Sequence, residues 1–200
     1  MSDDVVIVDC GGANIASLRF ALSRLGAQAE LTSSAARIGA ARRVILPGVG
    51  AAADAMTRLE RDALTALIPT LEQPVLGICL GMQLLARASE EDGAACLGVL
   101  PVTARKFPAS SDVPVPHMGW SRIHKQRDHP LLAGLQDGSW FYFVHSYALP
   151  VDDSCIASAV HGREFSAVAA RGNFCAAQFH PERSGAAGAR LLQNFLELPA

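Results

Sequence analysis

Short apolar runs alternate with amphipathic stretches along the first hundred residues. Val5-Val6-Ile7-Val8 is the first run, Leu18, Leu22 and Leu25 follow at helical spacing and close on Gly26, and Val44-Ile45-Leu46 is the next run. Strand, helix, strand in that order predicts a parallel sheet. A helix-compatible stretch from about Asp54 to Leu71 leads to Val75-Leu76-Gly77-Ile78, with a helix-like Gln83-Leu84-Leu85-Ala86-Arg87 after it. From about Leu97 the texture changes to strand-like runs at 140–144, 155–160 and 167–170, before a last helix around Leu191 to Leu198. The pattern predicts an α/β fold: a central, mostly parallel sheet flanked by helices, with additional antiparallel strands in the second half. Pro101, Pro108, Pro114 and Pro116, with Ser110-Ser111-Asp112 among them, predict an exposed loop rather than a linker. The second half lacks a complete alternation of its own, so residues 1–200 are expected to form one domain.

Composition narrows the function classes. Half of the 200 residues are hydrophobic and 18% are charged, which predicts a packed core. Lys plus Arg number 17 against 19 for Asp plus Glu, a net charge of −2 that argues against nucleic acid as a main ligand. The five cysteines are scattered and contain no C-x-x-C pair. That pattern fits reduced thiols in a cytoplasm and gives neither a disulfide framework nor a zinc cage, so no metal or cofactor is expected. The acidic start, Met1-Ser2-Asp3-Asp4, lacks the positive head of a signal peptide. No apolar segment approaches the roughly 20 residues that cross a bilayer, so no membrane contact is expected.

The sharpest local feature is Gly77-Ile78-Cys79-Leu80-Gly81, at the end of an apolar strand and the start of a helix. It is the thiol version of the G-x-S-x-G nucleophile elbow. A strand turning sharply into a helix brings the positions two before and two after the nucleophile together, where glycine fits, and pushes the thiol out over the positive end of the helix, where a thiolate is favoured. Most cysteines in cytoplasmic domains are small buried hydrophobes, and Cys10, Cys96, Cys155 and Cys175 are read that way. The glycine frame sets Cys79 apart as a nucleophile. A thiol nucleophile needs a base, and the base needs an orienting group. In Gln178-Phe179-His180-Pro181-Glu182 an extended segment would point His180 and Glu182 to the same side, with Pro181 stiffening the pair. Pro47-Gly48-Val49-Gly50 would present the Val49 N–H to a developing oxyanion, joined by the N–H of Leu80. A phosphate loop is excluded, since no Gly-Lys-Ser or Gly-Lys-Thr follows this loop or Gly11-Gly12.

With these residues in hand, the sequence resembles the class I glutamine amidotransferases, whose triad is Cys-His-Glu, over nearly the whole chain. Pro47–Gly50, Pro116-His117-Met118-Gly119-Trp120, Tyr142 to Tyr147 and Gly172-Asn173-Phe174 are similar to one branch, the glutaminase subunits of imidazole glycerol phosphate synthase. Asp9-Cys10-Gly11-Gly12-Ala13-Asn14 departs from that branch's Asp-Tyr-Gly-x-Gly-Asn, and Arg183 stands where lysine is usual. The resemblance implies a class I glutamine amidotransferase-like fold, hydrolysis of L-glutamine to glutamate and ammonia, and passage of ammonia to a separate (β/α)8-barrel cyclase in a heterodimer. It implies that Gly48, Gly50, Gln83 and the backbones of His145, Ser146 and Tyr147 hold the substrate. It also implies that Asn14, Pro116, His117, Met118, Trp120, Tyr142 and Arg183 lie toward the cyclase. Two rivals stay open: another branch, such as the glutaminase partner of anthranilate synthase, against which 116–120 speaks, and a free-standing cysteine hydrolase, which the elbow and triad alone also permit.

Overall fold

In the computed structural model, which describes residues 4–11, 15–108, 110 and 113–199, β1 (Asp4–Val8) leads into α1 (Ile15–Arg24) and β2 (Gln28–Thr32). Then come α2 (Ala35–Ala40), β3 (Arg43–Leu46), α3 (Ala52–Arg61), α4 (Leu64–Leu67), β4 (Val75–Ile78), α5 (Leu80–Leu84) and β5 (Ala86–Ser89). The second half holds β6 (Leu100–Lys106), β7 (His117–Arg122), β8 (His124–Lys125), β9 (Trp140–His145) and β10 (Tyr147–Ala148). It closes with β11 (Cys155–His161), β12 (Arg163–Arg171), β13 (Phe174–Ala177) and α6 (Gly185–Glu197).

Eight strands form one sheet in the order β2-β1-β3-β4-β13-β12-β11-β8. The pairings from β2 to β13 are parallel and those from β13 to β8 antiparallel, the mixture that the sequence pattern predicts. β10, β6 and β5 make a small second sheet, and β7 with β9 an antiparallel ribbon. Alternation along the central strands divides the core in two. Val5, Ile7, Ile45 and Ile78 pack on one face beneath α1 and α6, while Val6, Val8, Val44 and Leu46 pack on the other beneath α2 and α3.

Several expectations change in detail. The stretch 54–71 is not one helix: Ala63 takes φ +55°, α3 stops before it, and the chain resumes as α4 and a 3₁₀ turn, Ile68–Thr70, that accommodates Pro69. The helical run 83–87 ends early, because α5 stops at Leu84 and Ala86–Ser89 pairs as a strand with β6. Pro101 lies inside β6 rather than in a loop. It sits where the register between β5 and β6 slips, so its missing N–H costs no ladder bond. The apolar pattern does not predict β2 and α2, because Gln28-Ala29-Glu30-Leu31-Thr32 is a mostly exposed edge strand without an apolar run.

Helix α6 packs against the 3₁₀ turn Pro181–Arg183 that follows β13. The approach is so close that a Cβ on Gly188 would stand 1.9 Å from the Pro181 carbonyl oxygen. Gly188→Ala is therefore expected to displace that turn and to lower stability by about 1–3 kcal/mol, seen as a lower urea midpoint at unchanged slope.

Candidate active site

Cys79 occupies the turn between β4 and α5 with φ +54° and ψ −110°, a conformation that costs a non-glycine residue about 1–3 kcal/mol. The surrounding backbone holds it there. The Cys79 N–H donates to the Ala177 carbonyl at 2.8 Å, and its own carbonyl accepts the Met82 N–H at 3.1 Å. Gly81 lies against the end of β3, where a Cβ would fall 1.8 Å from the Leu46 carbonyl oxygen, and a Cβ on Gly77 would come within 2.8 Å of the Gly81 carbonyl oxygen. Both glycines are thus sterically required, as the elbow motif predicts. Leu80 opens α5, so its N–H has no helical acceptor.

His180 leaves β13 in extended geometry, φ −97° and ψ 98°, but Glu182 does not continue it. The single extended segment predicted for the pair is absent. Instead the chain winds into the turn Pro181–Arg183, which brings the Glu182 carboxylate back to the ring, Nδ1 to Oε1 at 2.9 Å. Ser184 fastens this turn to β9, its hydroxyl donating to the His180 carbonyl at 2.7 Å and accepting the Tyr142 N–H at 3.0 Å. Glu182 is nearly buried, and its Oε2 has no hydrogen-bond partner among the described residues. Burial opposes charge on the His180 ring, yet the nearby Cys79 sulfur and then the Glu182 carboxylate outweigh it, raising the pKa from 6.5 to about 10. Cys79 acts on the ring through hydrogen bonding first and charge second, and its thiol also contacts the Val144 carbonyl at 3.7 Å.

These groups open into a cavity of about 340 Å³ lined by Val49, Gly50, Cys79, Leu80, Gln83, His145, Ser146, Tyr147, His180 and Glu182, among others. Gly48 lies just behind Val49, packed against Leu80. Gln83 donates from Nε2 to the Tyr147 carbonyl at 3.0 Å and to Gln178 Oε1 at 3.3 Å. A larger groove, about 740 Å³, lies between α1 and β2 and is lined by no cysteine or histidine.

Three positioning contacts have little or no signal in the sequence. Gln178, fully buried, directs its amide nitrogen toward Cys79 Sγ at 3.9 Å. Its only sequence signal is a polar residue closing an apolar strand. Glu91 lines the cavity and accepts the Ala52 N–H at 2.7 Å, capping α3 from a distant loop. The Cys10 thiol donates to the Pro47 carbonyl at 2.9 Å, anchoring the loop that carries Val49. Burial pushes that thiol up to about 11, which suits a structural contact.

On the ribbon's outer face Met118 is opposite Val144, Trp120 opposite Tyr142, and Arg122 opposite Trp140. Trp120 packs edge-on to Tyr142 at 5.9 Å, and the Arg183 guanidinium covers the same ring at 4.6 Å. Met118 and Trp120 are more than half exposed, as a docking role requires. Pro116 lines the cavity. His117 differs: its side chain points inward and is 4% exposed. Asn14 lies outside the described residues. Among the described residues no group of acidic, histidine or cysteine side chains could hold a metal ion, and no helix is long and apolar enough to cross a membrane.

The chain matches the class-I glutamine amidotransferase family over residues 6–198. It is 50% identical over 195 residues to a protein of Xanthomonas axonopodis pv. citri named imidazole glycerol phosphate synthase subunit HisH, covering 98% of each chain. A protein of the same name from Xylella fastidiosa is 48% identical over 197 residues, again covering 98% of each. Among solved structures, PurLQS from Thermotoga maritima superposes with a TM-score of 0.75 at 20% identity, covering 98% of this chain and 99% of that one. A glutamine amidotransferase of the same organism gives a TM-score of 0.64 at 17% identity, covering 89% of this chain and 75% of that one. At these identities the two structures speak to the fold.

A raised folded-state pKa means that the charged His180 ring, held by Cys79 and then by Glu182, stabilises the fold fully below the ordinary histidine value of 6.5, and that this contribution is lost as pH rises through about 10. Glu182→Gln is expected to lower the His180 pKa from about 10 and to flatten the loss of stability on the alkaline side. A ¹⁵N titration of the imidazole with urea unfolding at several pH values reads both.

Proposed function

The chain belongs to the class-I glutamine amidotransferase family, and from that premise we propose that it is the glutaminase subunit of an imidazole glycerol phosphate synthase. It hydrolyses glutamine and passes the ammonia to a separate (β/α)8-barrel cyclase, its partner in a cytoplasmic heterodimer. The cyclase makes imidazole glycerol phosphate and AICAR in histidine biosynthesis. The observation that carries the chemistry is the meeting of Cys79, on a strained turn, with the paired His180 and Glu182 in one cavity. The choice of synthase follows the relatives' names, at 50% and 48% identity over nearly their whole lengths.

In this reading the Cys79 thiol gives its proton to the free ring nitrogen of His180, the thiolate attacks the carboxamide carbon of glutamine, and the carbonyl electron pair moves onto oxygen. The N–H groups of Val49 and Leu80 receive that charge. His180 gives its ring proton to the departing nitrogen, so ammonia leaves and a glutamyl thioester remains. The ring then takes a proton from water, whose oxygen attacks the thioester and releases glutamate and the thiol. Glu182 keeps the imidazole turned by holding Nδ1–H, which leaves the other nitrogen for the reaction. Gly48, Gly50 and Gln83, with the backbones of His145, Ser146 and Tyr147, hold the amino-acid end. Glu91 provides a carboxylate where the substrate's ammonium group needs one. The outer ribbon face, with Met118, Trp120, Tyr142 and Arg183 beside Pro116, docks the cyclase, an aromatic and guanidinium surface of the kind that anchors interfaces.

Cys79→Ser is expected to lose glutamine hydrolysis by roughly a thousandfold or more while folding normally. The same variant with the cyclase should still turn over on added ammonium salts. Full glutaminase turnover by the variant would overturn the nucleophile. Wild-type hydrolysis as fast without the cyclase as with its liganded form would favour a free-standing hydrolase.

A further inference from the structure

Behind the cavity wall the inner face of the ribbon carries two buried histidines in hydrogen-bond contact, His117 Nδ1 with His145 Nε2 at 3.1 Å. They are 4% and 6% exposed. His117 Nε2 also meets Ser121 Oγ at 2.9 Å, and His145 Nδ1 meets the Tyr147 carbonyl at 2.8 Å. These partners fix every proton. A carbonyl only accepts, so His145 carries its proton on Nδ1. Burial pushes the pKa of His145 down to about 3 and that of His117 down to about 4, so both rings are neutral at pH 7. The His145 Nε2 atom is then a bare acceptor, His117 donates to it from Nδ1, and the Ser121 hydroxyl donates to His117 Nε2. Both rings hold the Nδ1–H form, the less common tautomer of free imidazole. His161, stacked on His117 at 4.2 Å, donates from Nε2 to the Pro114 carbonyl at 2.8 Å.

The series ends on the Tyr147 carbonyl, which also accepts the Gln83 amide. With two donors converging on it, this peptide cannot turn without leaving a buried donor unpaired. We propose that His117 and His145 are positioning residues that hold the Tyr147 carbonyl and the Gln83 side chain as a rigid wall of the cavity. The proposal rests on the reading that this cavity takes glutamine. It assigns His117 a role inside the subunit, in place of the partner contact that the resemblance implies.

The test has two arms. In the ¹⁵N-histidine-labelled chain at pH 7, long-range ¹H–¹⁵N correlations should show His117 and His145 as neutral Nδ1–H tautomers and His161 with a proton on Nε2. Either of the first two rings in the Nε2–H or charged form would overturn the proposal. In the complex with the cyclase, His117→Phe keeps the aromatic packing on Phe143 and His161 but removes the donor. It should raise KM for glutamine about tenfold with kcat changed less than about threefold. His117→Asn places an amide N–H near the Nδ1 position and should return KM to near the wild-type value. A His117→Phe variant with wild-type KM, or no rescue by asparagine, would overturn the positioning role. The expected tautomers in a chain whose wild-type complex hydrolyses no glutamine would instead overturn the glutamine reading and leave the tautomer assignment standing.

Discussion

The left-handed turn at Cys79 is the constraint on which the rest of the site depends. A cysteine at φ +54° persists only where its surroundings over-determine it. Here they do so through sheet order. β3, β4 and β13 are parallel neighbours, so Leu46, Ile78 and Ala177 end side by side and three loops start from one edge. The first carries Val49, the second Cys79, the third His180 and Glu182. Gly81 beneath the Leu46 carbonyl and Cys79 N–H on the Ala177 carbonyl tie the middle loop to both neighbours. Residues far apart in sequence therefore meet because the topology leaves them no other place, at the carboxyl edge where open α/β sheets carry their sites.

The ribbon of β7 and β9 adds a second principle, two faces of different chemistry. Alternation puts Met118, Trp120 and Arg122 outside and His117 and Ser121 inside, against Phe141, Phe143 and His145 of the partner strand. The outer face offers aromatic rings and guanidinium groups. The inner face presents an ordered set of donors to the cavity wall. A strand pair only a few residues long can serve both sides because each side chain belongs to one face alone.

Much of this was legible in the sequence because the decisive features are local. The glycines around Cys79 announce the turn, and the apolar runs of β1, β3 and β4 announce strands buried on both faces. What stayed hidden depends on tertiary context. Glu182 reaches His180 through a 3₁₀ turn rather than an extended strand, because Ser184 and Gly188 tie that segment to β9 and α6. Cys10 reads as one more apolar residue until the Pro47 carbonyl appears beside it, and Gln178 and Glu91 gain meaning only from partners far along the chain. β2 lacks a periodic signal because an edge strand needs no second buried face.

The central claim is that Cys79 attacks glutamine and carries a covalent glutamyl group before water releases it. Acid quenching of the complex during turnover on isotopically labelled glutamine, followed by peptide mapping under conditions that preserve thioesters, tests it most directly. A labelled glutamyl thioester is expected on the peptide containing Cys79 and on none containing Cys10, Cys96, Cys155 or Cys175. Label on another cysteine, or steady turnover with no covalent label on Cys79 at any quench time, would contradict it.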